Sequence, residues 1–248
     1  ALALVCGNPV IWKASEKTPL TALACQHLFE QAANDFGAAP PGLSQLLLGG
    51  ADLGDALATS KQVPIVSATG STRMGRTVAP KVAERFGRCI LELGGNNAMI
   101  VAPSADLELA TRAILFSAVG TCGQRCTSLR RVIVHDTIKE ELTQRLKKAY
   151  SSLRIGNPLN DDTLVGPLID QDSFERMDNA LAEAHRENGV VIGGKRVLSH
   201  EYPNAFYVEP ALVEMPEQSA VVQTETFAPI LYLMGYSDLN AAINLQND

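Results

Sequence analysis

From residue 10 to residue 93, short apolar runs alternate with helix-patterned stretches, and Gly or Pro marks most changes of pattern. Residues 10–13 read as a strand after Asn8-Pro9. Thr18 stands where an N-cap would stand and Pro19 at the first helical position, so a helix is expected over residues 20–36. Gly37 and Pro40-Pro41-Gly42 stop it. Residues 43–48, 63–68 and 89–93 follow as strands, with helices over 52–59 and from 72 to about 85 between them. Strands apolar on both faces, joined through helices, are the pattern of a parallel sheet with helical layers, so the expected fold class is α/β.

The pattern then partly restarts. A strand over 98–102, a helix over 106–119, a strand over 132–135 and a long amphipathic helix over 138–153 are expected. Residues 159–167 form a Pro/Gly/Asp loop, 174–188 another helix, and 190–192, 207–213 and 229–236 strands. Gly94-Gly95 closes the first series, so residues 1–94 are expected to form one domain and residues 95–248 a second. The length of 248 residues suits either one large domain or two ordinary ones, and 46% hydrophobic content against 19% charged allows a sizeable core. A net charge of −6 without a long basic run argues against nucleic acid as a partner. No apolar run reaches membrane-spanning length and no signal peptide is evident, which argues against a membrane. Five cysteines, with no C-x-x-C pair, argue against a disulfide framework, and four scattered histidines argue against a metal site. That cysteine usage points to a reducing, cytoplasmic setting. The chain opens on Ala1 without a methionine and closes on helix-like residues 241–248, so both ends read as cut.

Five stretches carry possible chemistry. Gly120-Thr121-Cys122-Gly123-Gln124-Arg125-Cys126-Thr127 lies between an expected helix and an expected strand, where a Gly-punctuated turn can present a side chain at the surface of a rigid scaffold. Cysteine attacks as thiolate, and a cationic neighbour such as Arg125 favours that form. Most free cysteines are instead small buried residues, and Cys126 taken alone fits that description too. Gly70-Ser71-Thr72-x-x-Gly75 lies between strand and helix, where backbone N–H groups can hold a phosphate; Gly70 and Gly75 would allow close approach and Ser71 can donate a hydrogen bond. An ordinary capped turn has the same pattern. Lys13 and Glu16 follow a strand end and could clasp ribose hydroxyls, or be solvated surface charges. Glu92, at the end of an apolar strand before Gly94-Gly95, is expected to be buried and so suited to act as a general base. Its bland alternative is a carboxylate capping backbone N–H groups. Glu225, in Thr224-Glu225-Thr226-Phe227-Ala228-Pro229, reads equally well as a site acid or a loop anchor. A thiol, an acid and a phosphate-binding turn together suggest covalent catalysis beside a nucleotide cofactor.

These stretches resemble, in order and from end to end, the motifs of the aldehyde dehydrogenase superfamily. Residues 10–20 resemble its strand-and-clasp motif, Thr69-Gly70-Ser71-Thr72 its pyrophosphate turn, and Leu91-Glu92-Leu93-Gly94-Gly95 its glutamate motif. Gly123-Gln124-Arg125-Cys126 resembles its cysteine motif, and Glu225-Thr226-Phe227-Ala228-Pro229 the motif that reaches the nicotinamide-side ribose. The runs Gly94-Gly95-Asn96-Asn97-Ala98 and Gly120 through Thr127 look most like the branch that oxidises α-aminoadipic semialdehyde in lysine breakdown.

The resemblance implies a Rossmann-like cofactor domain, present in part as residues 1–94, followed by an α/β catalytic domain, residues 95–248, truncated at its C-terminal end. It implies Cys126 as nucleophile, Glu92 as general base, and NAD as cofactor, with contacts from Lys13, Glu16, Gly70, Ser71, Gly75, Glu225 and Phe227. Arg125 would suit a carboxylate on the small-molecule aldehyde. The family's chains are longer, so the resemblance also implies a missing oxyanion-hole asparagine, a homo-oligomer at full length, and doubtful activity for this stretch alone. Two alternatives remain at this point. One is a different aldehyde specificity, including a CoA-acylating enzyme. The other is a non-catalytic truncated relative.

Overall fold

The structure is a computed structural model and describes residues 2–248; Ala1 lies outside the described residues. Two compact units divide the chain, residues 1–93 and 94–248.

The first unit contains α1 (Leu2–Val5), β1 (Val10–Lys13), α2 (Pro19–Phe36), β2 (Ser44–Leu47), α3 (Ala51–Thr59), β3 (Ile65–Thr69), α4 (Thr72–Glu84) and β4 (Arg88–Glu92). Pro19 occupies the first turn of α2, where its missing N–H costs nothing, and Gly37 ends the helix at φ 73° with its N–H on the Ala33 carbonyl. Thr18 precedes α2 but its side chain makes no capping hydrogen bond. The strands pair in parallel as expected, but as two separate two-stranded pieces, β1 with β2 and β3 with β4.

The expectation of strands buried on both faces is corrected here. Both β3 and β4 alternate between exposed and half-buried residues, and Ile65 and Ile90 are 51% and 53% exposed. In this unit α4 packs on β4 and α2 on β2. A strand shows its two faces at alternate residues, so a single covering layer leaves every second side chain open.

The second unit holds the core. Its elements are β5 (Ala98–Val101), α5 (Leu107–Val119), a 3-10 turn (Gly120–Gly123), β6 (Arg131–His135), α6 (Asp136–Ser151), α7 (Gln171–Arg186), β7 (Val190–Ile192), β8 (Arg196–Val197), β9 (Tyr207–Val208), β10 (Ala211–Glu214), α8 (Ala220–Gln223), β11 (Ile230–Tyr236) and α9 (Leu239–Asn247). Five strands form one sheet in the order β5-β6-β11-β10-β7. The first four run parallel and β7 antiparallel to β10. Val132, Ile133, Val134, Leu212, Val213, Leu231 and Leu233 are fully buried, which explains why β6, β10 and β11 read as unbroken apolar runs. Helix α6 packs on β6 and β11, α9 on β11, and α7 on β7. Asp106 caps α5 by accepting from the Glu108 and Leu109 N–H groups, and those bonds hold its carboxyl below the usual carboxylate range.

The strand expected over 207–213 is broken. Pro210 has no N–H to donate, and the chain changes partner there, from β8 paired with β9 to β10 paired with β7 and β11. Among the described residues no helix is long and apolar enough to cross a membrane.

Candidate active site

The parallel strands decide where the chemistry-bearing residues fall. In the first unit they lie at carboxyl ends. Lys13 is the last residue of β1, and Glu92 the last of β4. Gly70 and Ser71 join the end of β3 to α4. Carboxyl ends of parallel strands are where open α/β sheets take ligands.

Lys13 Nζ stands 3.4 Å from Glu16 Oε2. A bond from its own backbone N–H and the Lys13 ammonium hold the Glu16 carboxyl below the usual range. Ser71 caps α4, its Oγ accepting from the Met74 N–H at 3.2 Å, which leaves the hydroxyl proton free to donate. Within the described residues no acceptor receives the Thr72 and Arg73 N–H groups, so this helix end fits an anionic group such as a nucleotide phosphate.

The two glycines act differently from expectation. The Gly70 N–H is already bonded to the Glu92 carbonyl at 3.0 Å. Gly75 is buried, and a Cβ there would meet Leu93 Cδ1 at 2.6 Å. Gly75 therefore serves close packing of helix on strand rather than approach to a phosphate. Glu92 is also corrected: its side chain is exposed, not buried. Parity is the cause, since Glu92 shares the open face of β4 with Arg88 and Ile90.

In the second unit the relevant residues gather at the opposite, amino ends of three neighbouring strands. Arg131 pairs with Ala98 on one side and Tyr232 on the other, so the segments leading into β5, β6 and β11 run side by side. The middle segment carries Cys126. It leaves α5 through a turn of reversed handedness, with φ of 56° at Thr121, 55° at Cys122 and 64° at Gly123. Left-handed backbone at non-glycine residues costs roughly 1–2 kcal/mol each, so tertiary contacts must hold it.

Three side chains missed by sequence reasoning supply those contacts. Gln124 Nε2 donates to the Thr121 and Pro167 carbonyls, both at 3.3 Å, and its Oε1 accepts from the Ile169 N–H at 2.9 Å. Asn97 Nδ2 donates to the Cys126 carbonyl at 2.8 Å and the Ser128 carbonyl at 2.9 Å. Arg130, only 2% exposed, donates from Nη1 to the Ala228 carbonyl at 2.7 Å and from Nη2 to the Arg125 carbonyl at 3.3 Å. A charged pair, Arg130-Arg131, at the mouth of an apolar run is the one cue the sequence offered.

The two cysteines of the turn have opposite environments. Cys126 is exposed, whereas Cys122 is 1% exposed and burial pushes its thiol up to about 12. Among the described residues no acceptor takes the Cys126 N–H, while its carbonyl is tied to Asn97. Arg125 is exposed, and a Cβ on Gly120 would stand 3.9 Å from its Nη1.

Glu225 and Phe227 lie on the segment before β11. Phe227 is 42% exposed with the Arg130 guanidinium 5.4 Å from its ring centre. Glu225 Oε1 stands 3.8 Å from Arg130 Nη2 and accepts no hydrogen bond within the described residues. A Cβ on Gly94 would collide with the Glu225 carboxylate, so a larger residue there would push the carboxylate aside. Burial pulls the Arg130 guanidinium down from its ordinary range, against the opposing pull of Glu225. The arrangement presents an accessible thiol beside an unclaimed N–H donor, which is what covalent attack on a carbonyl requires.

The family model described as "Aldehyde dehydrogenase family" matches residues 1–248. The chain belongs to the aldehyde dehydrogenase family. It is 45% identical over 253 residues to a protein of Caenorhabditis elegans named as a putative aldehyde dehydrogenase family 7 member A1 homolog, covering 100% of this chain and 46% of that one. It is 41% identical over 249 residues to the alpha-aminoadipic semialdehyde dehydrogenase of Bos taurus, again 100% of this chain and 46% of the relative. Among solved structures, betaine aldehyde dehydrogenase from Staphylococcus aureus in complex with NAD+ superposes with a TM-score of 0.93 at 30% identity, over 99% of this chain and 48% of that one. Lactaldehyde dehydrogenase from Escherichia coli superposes with a TM-score of 0.92 at 34% identity, over 99% of this chain and 50% of that one. The chain thus spans about half the length of the aldehyde dehydrogenases it matches.

Proposed function

We propose that this chain is part of an NAD-dependent aldehyde dehydrogenase that converts α-aminoadipic semialdehyde to α-aminoadipate. The observation that carries the reading is the exposed Cys126 on a braced turn whose own N–H is unclaimed. The substrate is supported by the relatives near 40% identity that bear that name.

In this reading Cys126 Sγ attacks the aldehyde carbon. A C–S bond forms and the carbonyl π electrons move to oxygen, where the Cys126 N–H receives the developing charge. Asn97 steadies the carbonyl of the same residue, and so the direction in which its backbone presents both groups. NAD would supply the acceptor for the hydride that leaves the former aldehyde carbon. Loss of that hydride re-forms the C=O bond and leaves a thioester on Cys126. Glu92 accepts a proton from water, the water oxygen attacks the thioester carbon, and the C–S bond breaks to release the carboxylic acid and the thiolate. Lys13 and Glu16 would hold the cofactor's adenine-side ribose, Ser71 and the first N–H groups of α4 its pyrophosphate, and Glu225 and Phe227 its nicotinamide-side ribose and ring; Gly70 belongs to the β3–α4 turn, while Gly75 packs α4 against Leu93. Exposed Arg125 offers its fork to a substrate carboxylate.

The test is an assay of the complete gene product for reduced NAD against a panel of aldehydes that includes α-aminoadipic semialdehyde. The highest kcat/KM is expected for that semialdehyde. A preference for another aldehyde would remove the substrate, and no aldehyde-dependent reduction at all would remove the activity. Free carboxylate as product, in the presence of CoA, separates hydrolysis from thioester transfer.

A further inference from the structure

One buried guanidinium beside the cysteine turn has no part in that chemistry. Arg130 is the residue before β6, and its backbone is fixed on both sides: its N–H donates to the Asn97 carbonyl at 3.0 Å, and its carbonyl accepts from the Tyr232 N–H at 2.8 Å. The side chain therefore leaves a rigid point on the sheet. Its two terminal nitrogens diverge to carbonyls on different segments, Arg125 just before the nucleophile and Ala228 just before β11. The same group faces the Phe227 ring and the Glu225 carboxylate.

We propose that Arg130 is a positioning residue, which sets the Glu225–Phe227 segment against the Cys126 turn and so holds the nucleophile side and the hydride-acceptor side of the site in one register. The inference rests on the functional reading above, in which Glu225 and Phe227 border the cofactor.

Stability alone is a poor explanation of Arg130. Taking a guanidinium out of water is costly, and an apolar side chain of similar volume often serves packing as well or better. Satisfaction of its donors is incomplete too, since Nε has no partner among the described residues and Glu225 stays at 3.8 Å. What an arginine does that an apolar side chain does not is hold two carbonyls at a fixed angle through one planar fork. The Ala228 carbonyl it grips is also the group that approaches Gly123 most closely, 2.5 Å from where a Cβ would stand. The segment before β11 thus meets the cysteine turn at two points ahead of Cys126, at Gly123 and, through Arg130, at Arg125. Phe227, 42% exposed, has its ring faced by the guanidinium from the protein side.

The experiment compares wild type, Arg130→Lys, Arg130→Met and Cys126→Ala in the complete gene product. The readouts are KM for NAD+, the deuterium isotope effect with an aldehyde labelled at its carbonyl carbon, and circular dichroism as a check on folding. Misplacement of reacting groups by about 1 Å can cost about 10²-fold, so Arg130→Met is expected to lower the hydride-transfer rate on that order. It should also raise KM for NAD+ and make the isotope effect on kcat larger. Arg130→Lys keeps the charge but not the fork, and is expected to fall between the two. Folded variants with wild-type KM for NAD+ and a wild-type isotope effect would overturn the positioning role alone. If Arg130→Met does not fold, the same two readouts on Arg130→Lys decide. An inactive wild type would overturn the functional reading, and the positioning role with it; Cys126→Ala as active as wild type would overturn the covalent mechanism.

Discussion

Gly123→Ala is expected to be one of the most damaging single-methyl changes in the second unit. Two independent terms enter. The backbone at Gly123 has φ 64°, where an L-residue pays roughly 1–2 kcal/mol. The added Cβ would stand 2.5 Å from the Ala228 carbonyl oxygen, 2.6 Å from its carbon and 2.7 Å from Pro229 Cα. These are backbone atoms at the start of the central strand β11, so they cannot swing away as a side-chain tip would. Overpacking of this kind costs about 1–3 kcal/mol. Together the terms give about 2–5 kcal/mol, which for a unit of this size lowers the melting temperature by roughly 4–20 °C. Gly120→Ala is the internal control. Its φ is −53°, and an added Cβ meets nothing nearer than Arg125 Nη1 at 3.9 Å, so its effect should stay within about 0.5 kcal/mol. Urea unfolding of both variants, followed by tryptophan-independent circular dichroism, measures the difference. A Gly123→Ala protein as stable as Gly120→Ala would refute the account of how the cysteine turn is held.

Four further outcomes follow from the site. Cys126→Ala should abolish aldehyde oxidation and Cys122→Ala should leave most of it, and alkylation near neutral pH mapped by mass spectrometry should reach Cys126 and spare Cys122; equal loss from both variants would mean the wrong thiol was assigned. Because the folded state raises the Cys122 thiol from 9.0 to about 12, its protonated form contributes stability that is fully present below the unfolded value and is lost as pH rises through that window. Removing the group in Cys122→Ala should make the alkaline limb of the stability curve shallower by about 1.4 kcal/mol per pH unit, and identical limbs would contradict the burial argument. Glu92→Gln should slow thioester hydrolysis by about 10²–10⁴-fold while a burst of reduced cofactor persists; loss of the burst would place Glu92 earlier in the reaction. Glu16, held ionised by its own backbone N–H and by Lys13, should favour NAD+ over NADP+ by repelling a 2′-phosphate, and equal kcat/KM for the two would count against its placement.

The elements that were legible in the sequence are those whose signal is local. Pro19 and Gly37 delimit α2, Asp106 caps α5, and the apolar runs of β6 and β11 need no neighbours to be recognised. What was not legible depends on distant or very short partners. Arg88, Ile90 and Glu92 alternate with Cys89 and Leu91, and an apolar residue on each face hides which parity is covered; the exposure of Glu92 could not be read. Two-residue β8 and single-turn α8 are too short for any period to register. Cys126 was found because its neighbours in sequence form a motif, whereas the residues that hold its turn were not. Asn97 is 29 residues from the carbonyl it holds, and Arg130 is 98 residues from Ala228.

That last separation has a consequence for biosynthesis. Chains grow at about 5–20 residues per second, so the 98 residues between Arg130 and Ala228 take about 5–20 s to appear. Throughout that interval β6 has no β11 beside it, the guanidinium has no second carbonyl to grip, and nothing presses on Gly123. The nascent protein therefore carries the Cys126 thiol on an unformed loop for many seconds before the turn that gives it a direction can close. An oxidant or electrophile in the surroundings meets that thiol as an ordinary cysteine first and as a configured nucleophile only after the central strand has arrived.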